Sequence, residues 1–173
     1  MKIKKINIYG CPNAGKSVAA AIAYAQLACD GYSIELVREV HKEFIANHGT
    51  IPTAAIHELY DEQRRREACA ARVADLIITD GPLGLCDFYA RRAGVRIDLD
   101  LAAERAALNV LINPDFSFAY DVRGRVHAAD SRRDLQNALV DHLVLNGIDF
   151  SVLQAKDIRS AGARIAHLLE VNA

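Results

Sequence analysis

The chain has 173 residues, the length of about one domain, with 51% hydrophobic and 25% charged residues. Such a composition buries an ordinary core and excludes a disordered chain. A net charge of -1 gives no global attraction to nucleic acid or to a membrane surface.

Lys4 to Tyr9 alternates Ile6 and Ile8 with polar neighbours and stops at Gly10, which predicts a strand. Residues 16–30 read as an Ala-rich helix closed at Gly31, and Ser33 to Arg38 as a second strand. A short helix is expected over 40–48. Pro52-Thr53 then opens a long helix to about Val73, with Thr53 as its cap. Leu76 to Thr79 is a short apolar strand running into the turn Asp80-Gly81-Pro82. Helices are expected at 84–93 and 98–111, a fourth strand at Phe116 to Val122, and a polar loop from Arg123-Gly124-Arg125. A helix over Ser131 to Asn146, a fifth strand over Asp149 to Leu153 and a final helix over 157–171 complete the chain. Strands alternating with helices imply a parallel sheet covered on both faces, in a single α/β domain.

Val18 to Cys29 is the longest nearly apolar stretch, interrupted by Gln26 and too short to cross a bilayer, so no membrane association is expected. Lys2, Lys4 and Lys5 precede too few apolar residues for an export signal. Cys11, Cys29, Cys69 and Cys86 form no CxxC pair, which argues against structural zinc and fits reduced thiols in a cytoplasm. Of the 21 basic residues 15 are Arg, clustered at 64–66, 91–96 and 123–133. Arg forks suit phosphate, but a GC-rich coding sequence would raise Arg and Ala together.

Gly10-Cys11-Pro12-Asn13-Ala14-Gly15-Lys16-Ser17 fits G-x-x-x-x-G-K-[ST] at every fixed position. Gly10 and Gly15 let the backbone turn so that successive N–H groups face a phosphate. Lys16 brings a charge to the β- and γ-phosphates of ATP, and the Ser17 hydroxyl suits Mg²⁺. Asp80, ending a buried strand, is the expected second metal-side carboxylate. Several nucleotide-binding classes are trimmed by absence. There is no N/T-K-x-D guanine-reading motif and no LSGGQ-like signature. Asp121-Val122-Arg123-Gly124 matches D-x-x-G too late in the chain for a switch, and the chain is short for a ring ATPase.

The phosphate loop, Ile34-Glu35-Leu36-Val37-Arg38-Glu39, Glu62-Gln63-Arg64, Ile78-Thr79-Asp80-Gly81-Pro82-Leu83 and Gly124-Arg125 stand in that order. So ordered, the chain resembles bacteriophage P-loop kinases of the nicotinamide-riboside-kinase-like and thymidylate-kinase-like group. That group includes 5-hydroxymethyluracil DNA kinases. The resemblance implies a five-stranded parallel sheet in the order 2-3-1-4-5, acceptor-region helices at about 40–74 and a lid at about 121–133. It also implies catalytic roles for Lys16, Glu39 and Asp80, with Glu39 as general base, and for Arg123 and Arg125 over the transferred phosphate. The acceptor is expected to be nucleoside-type, with 5-hydroxymethyluracil in phage DNA foremost, held by Gln63, Arg64 and Arg38, and the location a cytoplasm, the host's if the protein is viral. Between the fourth strand and Gly124-Arg125 the chain is shorter than this family. The alternatives are a free nucleoside or nucleotide kinase, and a regulatory or DNA-stimulated ATPase without an acceptor.

Overall fold

A computed structural model describes residues 4–115 and 132–171. In chain order it contains β1 (Lys5–Tyr9), α1 (Lys16–Cys29), β2 (Ile34–Val37), α2 (Val40–His48), α3 (Ile56–Ala70), β3 (Leu76–Thr79) and α4 (Leu83–Arg92). They are followed by α5 (Leu101–Ala106), β4 (Leu108–Asn113), α6 (Arg132–Leu145), β5 (Ser151–Gln154) and α7 (Ala161–Val171). The five strands form one sheet in the order β2-β3-β1-β4-β5, and every neighbouring pair is parallel. That is the order expected from the resemblance. No helix of the described residues is long and apolar enough to cross a membrane.

One strand lies elsewhere than the sequence predicted. The fourth strand is Leu108–Asn113, where a helix over 98–111 was expected, and only Leu101–Ala106 is helical there. Leu108-Asn109-Val110-Leu111-Ile112 is a nearly continuous apolar run, which helix and buried strand periodicities fit equally well. Burial on both faces of a parallel sheet selects the strand. Asn109, the one polar break, is itself buried, its Nδ2 within donor reach of the carbonyls of Glu104, Ala107 and Asp149. Phe116 to Val122 lies outside the described residues. Thr53 caps nothing: it begins a 3-10 turn (Thr53–Ala55) that leads into α3 with no side-chain cap. The predicted final helix is divided into a 3-10 turn (Ala155–Ser160) and α7.

Alternation along β1 separates two environments. Ile6 and Ile8 are fully buried in the main core with Ala19, Ala20, Ala23 and Leu27 of α1. Lys5, Asn7 and Tyr9 face the other side, where Glu104 of α5 gathers them. Lys5 Nζ donates to Glu104 Oε1 at 2.6 Å, while Asn7 Nδ2 and Tyr9 Oη donate to Oε2 at 3.0 and 2.8 Å. The Gly84 amide of α4 adds a fourth donor at 3.2 Å, and Lys5 also pairs with Glu67 of α3 at 2.7 Å. One carboxylate thereby joins β1, α4 and α5.

Burial pushes the Glu67 carboxyl up to about 6, against the pull of Lys5. A carboxyl whose pKa is higher folded than unfolded holds its proton better in the folded state. Its contribution therefore falls as pH rises from about 4.5 to 6, by up to about 2 kcal/mol. Urea unfolding across that window should show the decline, and Glu67→Gln should flatten it. An unchanged slope in the variant would assign the decline to other groups.

Candidate active site

The phosphate loop leaves β1 at Gly10 and re-enters regular structure at Lys16. Gly10 and Gly15 have φ of +152° and +95°, and Asn13 sits at +60°, so the loop is built from left-handed conformations that favour glycine and asparagine. Ala14 N donates to Cys11 O at 3.2 Å, and the Lys16 ammonium folds back onto Gly10 O at 3.0 Å and Cys11 O at 3.4 Å. No acidic residue occupies the first turn of α1. Its positive end is therefore uncompensated by a carboxylate of its own first turn, as an anion site requires.

Beside the loop lies a cavity of about 660 Å³, lined among others by Asn13, Gly15, Val18, Ile22, Lys156 and Arg159. Its walls are apolar on the α1 side and cationic on the 3-10 turn, with Asp115 as the one acidic lining residue among those described. Ile158 of that turn sits over Gly15, where a Cβ would come within 2.6 Å of Ile158 Cδ1. Gln26 of α1 secures the turn from behind, accepting from Gly162 N at 2.8 Å and donating to Arg159 O at 3.3 Å. Sequence reasoning missed the turn residues, because nothing local in Ala155–Ser160 marks a binding surface. The sheet order alone brings the end of β5 to the same rim as the loop.

Glu39 and Asp80 stand side by side at the carboxyl ends of β2 and β3, which pair as far as Val37 and Thr79. Asp80 is fully buried, and its Oδ1 accepts the Glu39 amide at 2.8 Å. Asp80 Oδ2 has no hydrogen-bond partner among the described residues, with Arg38 Nε 3.7 Å away. An orphaned buried carboxylate oxygen beside a phosphate loop is suited to a cation or its water.

Gln63, expected to face an acceptor, is fully buried. Its Oε1 accepts the Val40 amide at 2.9 Å and its Nε2 approaches Thr79 Oγ1 at 3.4 Å. In this arrangement its amide holds the residue after Glu39 and the residue before Asp80, instead of a base edge. Thr79 Oγ1 also accepts the Gly81 amide at 3.2 Å. Gly81 closes the bracket: a Cβ there would lie 2.8–2.9 Å from Glu39 Cα, Cβ and Cγ. Gly81→Ala should therefore displace Glu39 and lower turnover roughly a hundredfold, the scale of a 1 Å misplacement, while nucleotide binding is kept. Steady-state kinetics beside a binding titration would check this, and unimpaired turnover would refute the close packing.

The other expected residues are spread more widely. Arg38 is half exposed beside Asp80, and Arg64 is exposed and lies 3.6 Å from Asp61 of its own helix. Arg65 pairs with Glu62, and Arg66 bridges Glu62 to Glu43 of α2. His41 is buried against Cys86, Nδ1 to Sγ 3.8 Å, and burial lowers its pKa although Glu39 pulls it up. Arg123 and Arg125 lie outside the described residues.

Two solved structures of deoxyadenosine kinase from M. mycoides are similar to this chain. The one with bound dATP has a TM-score of 0.62 at 14% identity, covering 98% of this chain and 100% of that one. The one with dCMP and a flexible dCDP has a TM-score of 0.58 at 16% identity, covering 96% and 99%. At such identities the likeness is one of fold. No curated protein sequence matches. The AAA_28 family, described as an AAA domain, matches residues 5–160. With that match spanning the phosphate loop, all five strands and the 3-10 turn, the chain belongs to the AAA_28 family.

Proposed function

We propose that the protein is an ATP-dependent P-loop kinase that transfers the γ-phosphate to a hydroxyl of a nucleoside-type acceptor. The observation that carries this reading is the bracketing of Glu39. Asp80 accepts its backbone amide, Gln63 accepts the amide of the next residue, and Gly81 packs against it, at the strand rim that also carries the phosphate loop. A bare ATP-binding module has no use for a carboxylate so placed.

In this reading the triphosphate lies in the loop, against its amides and Lys16, and the base and ribose enter the cavity beneath Lys156 and Arg159. Ser17 and the orphaned Oδ2 of Asp80 are the groups that would hold Mg²⁺, which neutralises charge on the β- and γ-oxygens when bound. Glu39 accepts the proton of the acceptor hydroxyl as its oxygen bonds to the γ-phosphorus, and the bond to the ADP oxygen breaks in line. Arg38, half exposed beside Asp80, is proposed to hold the acceptor. Arg123 and Arg125 are proposed to neutralise the transferred group.

The resemblance to phage kinases makes 5-hydroxymethyluracil in DNA the leading acceptor. One observation favours the second reading, a free nucleoside or nucleotide: Arg64, Arg65 and Arg66 already have acidic partners and present no bare cationic face to a DNA backbone. The deoxyadenosine kinase of similar fold agrees with a small acceptor.

Transfer of radiolabelled γ-phosphate from Mg·ATP tests the proposal. Deoxynucleosides, thymidylate, plain DNA and hydroxymethyluracil DNA are offered in parallel. Label on modified DNA alone identifies a DNA-base kinase, and label on a free nucleoside or nucleotide identifies a salvage-type kinase. Free phosphate alone would replace the proposal with an ATPase. Lys16→Ala should weaken ATP binding and stop release of label by every route; survival of both would refute the nucleotide site.

A further inference from the structure

Gln136, on the inner face of α6, makes a connection that the reaction scheme above does not use. The pairing of β1 with β4 ends at Tyr9 and Leu111. One residue further, Gly10 and Ile112 remain close, a Cβ on Gly10 falling 3.4 Å from Ile112 O. There the chain leaves the sheet to become the phosphate loop, and the Gln136 amide fills the opening. Cys11 N donates to Gln136 Oε1 at 2.8 Å, and Gln136 Nε2 donates to Ile112 O at 3.0 Å. Gln136 is buried, 6% exposed, so these bonds are shielded from water.

We propose that Gln136 is a positioning residue for nucleotide binding: a side-chain rung that sets how far the phosphate loop departs from the sheet. The proposal rests on the nucleotide-binding reading of the loop. The opposite face of the same Cys11 residue shows why the distance matters. Cys11 O accepts from Ala14 N at 3.2 Å and lies 3.4 Å from the Lys16 ammonium. A displaced Cys11 therefore carries with it the loop turn and the cation that meets the phosphates. Without the Gln136 amide, Cys11 N–H and Ile112 C=O have two courses. They close directly and draw the loop inward, or they stay apart and the link between loop and sheet is lost. Either course changes the cradle. A glutamine suits the site because it brings one acceptor and one donor at the end of the same side chain.

Binding of a fluorescent ATP analogue to the full chain tests this with Gln136→Leu and Gln136→Glu. Gln136→Leu should weaken binding about tenfold or more, with kcat at saturating ATP little changed, a KM effect. Gln136→Glu is the sharper variant. Ionised, it presents an acceptor to Ile112 O and binds ATP poorly. Protonated, it carries both a donor and an acceptor. Its affinity relative to wild type should therefore recover as pH falls through the pKa of the new carboxyl, which burial raises and the buried Arg132 one turn earlier on α6 lowers. The ratio to wild type removes the titration of ATP itself. Wild-type affinity in a folded Gln136→Leu overturns the proposal, and so does a pH-independent ratio for Gln136→Glu. If Gln136→Leu fails to fold, the Gln136→Glu titration decides alone. A wild-type protein that binds no ATP at any pH overturns the nucleotide reading itself, and this proposal with it.

Discussion

Glu39→Gln should lower phosphoryl transfer by about 10²–10⁴-fold while ATP still binds. The substitution keeps the size of the side chain and removes only its ability to take a proton. The surrounding bracket tolerates it, because Asp80 holds Glu39 through its backbone amide and Gln63 holds the next residue in the same way. Gly81 packs against Glu39 Cα, Cβ and Cγ, atoms the variant retains. The loss should therefore fall on kcat, with ATP affinity and melting temperature close to wild type. Single-turnover transfer, measured beside a binding titration, separates these quantities. Undiminished transfer would remove Glu39 as the base and leave Asp80 as the nearest carboxylate to test.

Glu104→Ala should destabilise the fold by about 3–5 kcal/mol, a large share of the roughly 5–15 kcal/mol that holds a domain together. The carboxylate receives Lys5, Asn7, Tyr9 and the Gly84 amide, and the alanine leaves those donors facing one another in a dry interior. Lys5 keeps Glu67 as a partner, which limits the damage. Gly84 packs closely on the same group, since a Cβ there would meet the Tyr9 hydroxyl at 2.5 Å. Glu104→Gln, with shape kept and charge lost, should cost less. Urea unfolding with a constant m-value would check both, and a loss under about 1 kcal/mol for the alanine would mean that water or rearrangement satisfies the donors.

Much of the fold was legible because its signals are local. The strand before the loop, the helix after it and the apolar run Leu76–Thr79 each carry their own periodicity or turn chemistry. The fourth strand was not legible: Leu108–Ile112 satisfies two periods, and only its place between β1 and β5 decides between them. Gln63 shows the same division within the site. Its residue type and position on α3 drew attention to it, but an amide pairs equally well with a base edge or with a backbone amide and a threonine hydroxyl. Burial between Val40 and Thr79 assigns it the second role here. Gln136 carries no sequence signal for its place and Gly81 signals only a turn, since their importance lies in what other segments bring against them.

By itself the sequence determined the chemistry of the phosphate loop, since Gly10, Gly15, Lys16 and Ser17 lie within one turn of chain and need nothing distant to define them. It determined the alternating α/β class for the same reason. The tertiary structure alone decided which groups meet across the strands, what confines Glu39, and which turn lines the cavity beside the phosphate loop. Those relations join residues tens of positions apart, across strands whose order is not the order of the chain. Parallel pairing places all strand ends on one rim, and this rim, which no local pattern encodes, is what makes scattered residues into a site.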